Sequence, residues 1–207
     1  MQDKIKRKVK RMLENRDPAH DFYHIMRVYN NAKIIGRREG SNMAILLPAV
    51  MLHDLVVYPK GSAKSSKSSD ESADLAENIL QSYGYPQDQI NQICYCIRTH
   101  SYSKRFVPVS LEARILQDAD RLDALGAIGI ARTFSVGGSE NRKFYNAHDP
   151  FYRTSRNLND MKWTLDHFQT KLLKLEDFMH TETAKKIAKE RTRFMMLFLR
   201  QLQKEII

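Results

Sequence analysis

Apolar residues recur along most of this chain three to four positions apart, and no segment alternates apolar and polar positions regularly enough to read as paired strands. Only eight glycines and six prolines interrupt the pattern. The expected fold class is therefore all-α, a compact helical protein. The spacing predicts helices over about Lys4 to Glu14 and about Asp21 to Arg38, the second closed by Gly40 just past its end. A third is expected from about Asn42 to Val56, with His53 and Asp54 in its last turn. Pro48 inside it should kink it or mark a late start, since an interior proline costs about 3 kcal/mol.

The run "YPKGSAKSSKSSD" reads as a mobile loop leading to a helix that is capped by Ser69 or Asp70 and stops near Gly84. Pro86 suits the first turn of the next helix, which should reach about His100 with "INQICYCI" as its buried stretch. After Ser110, "LEARILQDADRLDALGAIGIARTF" places Leu111, Ile115, Leu122 and Leu125 on one stripe, and the pattern fades at Gly137 and Gly138. From there to about Asn157 the chain has no clear period, long enough for a functional lid or a disordered excursion. Two further helices, about Asp160 to Phe178 and Thr181 to Ile206, complete the expectation.

Composition adds limits. With 207 residues and no compositional shift near the middle, one domain spanning 1–207 is expected. Hydrophobic residues at 42% and charged residues at 28% are those of a soluble globular protein, and no apolar run approaches the roughly 18 residues that span a bilayer. The opening "MQDKIKRKVKRML" lacks the continuous hydrophobic segment of a secretory signal, so the expected location is cytoplasmic. Cys94 and Cys96, two apart on a helix, point to nearly opposite sides, which argues against a disulfide and against a cysteine metal site. The net charge of +10, from 34 Lys plus Arg against 24 Asp plus Glu, favours anionic partners such as nucleotides or nucleic acid, unless it serves solubility alone.

The chemistry starts from "AVMLHDLVVYP", where His53 and Asp54 interrupt an apolar run. A carboxylate buried there must be met by a cation, by donors or by water. His24 in "HIMRVYNNA" and Asp120 in "DADRLDAL" lie on other apolar-patterned helices. Two histidines and two carboxylates suit a borderline to hard divalent ion, Mn, Fe, Co, Ni, Zn or Mg. Asp118 rivals Asp120, because two residues apart on a helix they face nearly opposite sides.

The order His24, His53-Asp54, Asp120, with the strings "HxxRV", "LHD" and "DADRLDALGAIGIAR", resembles the HD superfamily of metal-dependent phosphohydrolases. More narrowly it is similar to the small stand-alone bacterial members of the YpgQ and YedJ group, from about Pro18 to Arg200. The resemblance implies a metal-site core over about 18–130 with the helices of about 157–206 packed on it. It implies that His24, His53, Asp54 and Asp120 hold a divalent metal, manganese first among the candidates. It also implies hydrolysis of a small phosphorylated substrate, foremost cleavage of a nucleoside triphosphate to the monophosphate and pyrophosphate. Removal of phosphate from a monophosphate is the competing reaction; a nucleic-acid-binding protein or nuclease, or a non-catalytic scaffold, are readings of other classes.

For the general base, Asp54, Asp118 and Asp123 all remain open. Arg27, three residues after His24, offers a fork for phosphate oxygens, and Lys60 and Lys64 on the Ser-rich loop could close over a polyphosphate. His100, Arg121 and Arg105 are further candidates for substrate contact, as is His20. His20 and His24 also share the spacing of the zincin "HExxH", but Asp21 is a methylene shorter than the glutamate base of that motif. Neither the oligomeric state nor the base and sugar of the substrate is encoded legibly.

Overall fold

The structure is a computed structural model that describes residues 2–14, 21–58, 62, 64–101, 104 and 106–206. The regular elements among its described residues are all helices, and one isolated bridge joins Lys143 and Trp163. None of its helices is long and apolar enough to cross a membrane. The chain forms two compact units, residues 1–120 and 121–207.

In the first unit, α1 (Gln2–Met12) buries Ile5 and Val9 and leaves its lysines and arginines in solvent. Helix α2 (Phe22–Glu39) begins where the Asp21 carboxylate accepts the His24 backbone N–H at 2.8 Å, a cap that satisfies one of the first-turn donors. It ends at Gly40, whose φ of 73° is the left-handed conformation that glycine adopts without strain. Helix α3 (Met43–Leu52) runs through Pro48, which therefore does not mark a late start. Every residue from Ile45 to Leu52 is buried, and α3 packs against α1, α2 and another helix, α5 (Gln87–Thr99). Burial on all sides outweighs the lost hydrogen bond.

Helix α3 also stops at Leu52, short of Val56, so His53 caps it and Asp54 lies beyond it rather than in its last turn. Helix α4 (Ser68–Ser82) starts earlier than expected: a 3₁₀ turn over Ser65–Lys67 feeds it, and Ser69 and Asp70 sit inside it instead of capping it. The following α5 opens at Pro86. Cys94 and Cys96 on α5 are free thiols, and burial pushes them up to about 11 and about 12, so they are inert near neutral pH.

Helix α6 (Leu111–Asp123) carries the last residues of the first unit, to Asp120, and the first of the second. Two buried amides register it against its neighbours: Asn31 of α2 donates to Ala119 O at 3.3 Å, and Gln117 donates to Thr99 O at 2.6 Å and Phe106 O at 2.9 Å.

In the second unit the expected continuous helix to Gly137 is broken. Leu125 is extended and Gly126 takes φ 71°, so α7 (Gly126–Ser139) is a new helix. It packs against α9 (Glu182–Ile206), with Phe134 against Phe168 and Phe198 at ring separations of 6.2 and 6.1 Å. The helix expected over 160–178 is only a short α8 (Asp166–Thr170) followed by a 3₁₀ stretch, Leu172–Phe178.

The aperiodic segment before α8 is neither helical nor a disordered excursion. Asp149 accepts from Arg153 N at 2.8 Å, Thr154 N at 3.0 Å and Thr154 Oγ1 at 2.7 Å, and those donors hold its carboxyl down at about 2. Arg156 grips Asp166 with both terminal nitrogens, at 2.7 and 2.5 Å, and lies over the Trp163 ring at 5.0 Å.

Candidate metal centre

Four segments of the first unit bring their chemistry to one place. His24, in the first turn of α2, is 1% exposed, and its Nε2 stands 3.6 Å from both Asp54 Oδ2 and Asp120 Oδ1. His53 Nε2 is also 3.6 Å from Asp54 Oδ2. The donor atoms of His24, His53 and Asp120 all lie within 4.8 Å of one another, as do those of His53, Asp54 and His100.

The orientation of His53 is fixed from behind. Its Nδ1 is 2.8 Å from Val50 O, and a carbonyl only accepts, so the proton is on Nδ1 and Nε2 carries the lone pair. Burial pushes the ring's pKa below 6.5 despite the neighbouring Asp54 charge, which keeps the imidazole neutral. Burial alone would push the Asp54 carboxyl up, but the His53, His100 and His24 imidazoles around it hold it well below its usual range. A lone pair thus faces an anionic oxygen at 3.6 Å, and His53 Nε2 is buried with no hydrogen-bond partner among the described residues.

Contacts of 3.6 Å are wider than hydrogen bonds. They fall between the roughly 3 Å and roughly 4.2 Å separations of donors that each sit about 2.1 Å from one ion. The donor set and its buried, anionic environment fit a divalent cation, with two imidazoles and two carboxylates supplied by α2, the end of α3 and α6.

The other residues named from the sequence fall in different settings. Asp118 is fully buried in α6. Asp123 lies in the second unit, where Arg132 donates to its Oδ2 at 2.7 Å. Arg121, also in the second unit, donates from Nη1 to Phe178 O and approaches His180. Arg27 is half-buried on α2, and Lys64 is exposed with its ammonium 5.9 Å from the Tyr58 ring centroid. His20, Lys60 and Arg105 lie outside the described residues. Asp21, the would-be base of a zincin motif, spends an oxygen on capping α2.

Sequence reasoning missed Asn31 and Gln117, which hold α6 in register with α2 and with the end of α5. The signal was present: Asn31 lies two helical turns after His24 on the same buried face, and Gln117 sits in an apolar stripe.

The HD domain family model matches residues 21–125, which include all four of these donor residues. The YpgQ protein of Bacillus subtilis is 32% identical over 208 residues, covering 99% of this chain and 93% of that protein. A crystal structure of B. subtilis YpgQ in complex with ADP superposes with a TM-score of 0.77 at 33% identity, covering 99% of this chain and 94% of that one. An HD-superfamily hydrolase from Bacillus thuringiensis gives 0.76 at 34% identity, covering 99% and 95%.

Proposed function

Because the chain belongs to the HD domain family and is a phosphohydrolase, we propose that it is a divalent-metal-dependent nucleotide pyrophosphohydrolase, cleaving a nucleoside triphosphate to the monophosphate and pyrophosphate. The observation that carries this reading is the convergence of His24, His53, Asp54 and Asp120, with imidazole nitrogens and carboxylate oxygens facing one another at 3.6 Å. These four residues would hold the ion, with manganese the first choice. A divalent ion bound there supplies an acidified water and a charge on the phosphoryl oxygens.

The remaining work falls to the chain itself. Burial keeps His53 neutral, and its bond from Nδ1 to Val50 O leaves the lone pair on Nε2. Of the three carboxylates offered as proton acceptor, Asp118 is fully buried and Asp123 is engaged by Arg132. Arg27 on α2 and Lys64 on the loop before α4 are the proposed phosphate contacts, the former suited to pairs of oxygens. A nucleotide substrate is supported by the ADP bound to YpgQ and by the chain's net charge of +10.

Product analysis by phosphorus NMR tests the reaction. With Mn-loaded protein and a panel of dNTPs, NTPs and monophosphates, the expected result is pyrophosphate from triphosphates and no turnover after chelation. Inorganic phosphate released from monophosphates alone would replace this reading with a phosphatase.

A further inference from the structure

His100 reads from the sequence as a substrate contact, and its surroundings say otherwise. The residue caps the C-terminal end of α5 and is only 7% exposed. Its Nδ1 is 2.6 Å from Ile97 O, an acceptor placed like Val50 O behind His53, but here Nε2 faces an acceptor as well, so His100 donates from both nitrogens where His53 donates from one. Its Nε2 is 3.2 Å from Asp54 Oδ1, and its ring stands edge-on to His53 at 4.9 Å with an 87° interplanar angle. Both ring nitrogens are therefore spent on the protein, and neither remains to meet a substrate.

Asp54 needs such a partner. Helix α3 ends at Leu52, so the carboxylate is carried two residues past the helix. Its two oxygens have different neighbours: Oδ2 faces His24 and His53, while Oδ1 faces His100. A grip on Oδ1 sets the carboxylate plane and thereby aims Oδ2 at the histidine nitrogens. The grip is itself braced, because Gln117 on α6 donates to Thr99 O at 2.6 Å, immediately before His100. The brace and Asp120 belong to the same helix.

We propose that His100 is a positioning residue for the metal centre, holding Asp54 by Oδ1 so that Oδ2 is presented to the cation. The proposal rests on the reading of His24, His53, Asp54 and Asp120 as metal ligands. Partners behind ligating groups typically change metal affinity by about 10- to 100-fold when removed, and this is the size expected here.

The test is isothermal titration of MnCl₂ into metal-free wild type, His100→Ala and His100→Gln, with kcat and KM for a triphosphate measured at saturating Mn. Gln places an amide N–H near the position of Nε2. Expected are a Kd for Mn raised about 10- to 100-fold in His100→Ala, most of the affinity restored in His100→Gln, and a nucleotide KM close to wild type in both. A purely structural role would change the melting temperature of the metal-free variants without separating Ala from Gln in Mn affinity. Wild-type Mn affinity in folded His100→Ala, with a raised KM, would overturn the proposal in favour of a substrate contact. If His100→Ala does not fold, the Gln variant decides alone: it must bind Mn within a few-fold of wild type. A wild-type protein that takes up no Mn would overturn the ligand reading itself, and with it this proposal.

Discussion

Asp54→Asn should abolish Mn-dependent hydrolysis, with a loss of about 10³-fold or more, while leaving the metal-free fold intact. The magnitude follows from the several kcal/mol that a bound ion contributes to charge stabilisation in the transition state, about 4 kcal/mol being close to three powers of ten. The variant keeps the volume of the side chain and the oxygen that His100 reaches, but removes the negative charge that the three surrounding histidines share. A second readout separates loss of metal from loss of chemistry. Binding to the native state alone raises the melting temperature with metal concentration, so wild type should gain stability from Mn and the variant should not. An Asp54→Asn protein that still hydrolyses triphosphates within tenfold of wild type would remove Asp54 from the mechanism.

Arg156→Ala should be the most destabilising single change in the second unit. Asp166 is 1% exposed, and it takes two nitrogens from Arg156 and the Asn159 N–H at 2.7 Å. Removing the guanidinium strands a buried carboxylate, which costs about 3–5 kcal/mol. It also frees the loop that Arg156 holds through its bond to Asp149 O at 3.0 Å. Arg156→Lys should fall between, since an ammonium cannot reproduce the two-pronged contact. The guanidinium lies over Trp163, the chain's single tryptophan, so urea unfolding followed by intrinsic fluorescence reports on this unit directly. A shift of less than about 1 kcal/mol in Arg156→Ala would show that the pair is hydrated and weak.

The helices were legible where amphipathic period and punctuation agree. Gly40 after α2 and Pro86 before α5 mark the two boundaries most clearly, because each fixes a backbone angle that its position needs. The breaks that escaped were set by longer-range effects. Leu122 and Leu125 continue an apolar stripe, so the pattern gave no reason to stop at Asp123; the left-handed Gly126 does that, and "LGAIG" is also an ordinary helical sequence. Pro48 persists inside α3 because burial on every side compensates it, which no local rule anticipates. The segment before α8 owes its order to Asp149 and Arg156 bonding to backbone and carboxylate, interactions that leave no period in the sequence.

The candidate site divides similarly. His24, His53, Asp54 and Asp120 were found by residue type, order and helical setting, and the structure brings their donor atoms together. Which neighbouring charges serve the site depends on side-chain direction and on partners distant in sequence. Arg121 adjoins Asp120 yet turns to Phe178 O, and Asp123, one turn further, meets Arg132. Asn31 and Gln117 carry no motif, since a buried amide announces itself only through the carbonyl it reaches.

The most direct test of the metal centre is anomalous diffraction from crystals of Mn-loaded protein, with data collected on both sides of the manganese absorption edge. The account predicts one strong peak per chain, about 2.1–2.3 Å from His24 Nε2, His53 Nε2, Asp54 Oδ2 and an Asp120 oxygen, lost in Asp54→Asn. A peak held by other residues, or none at these four, would contradict it.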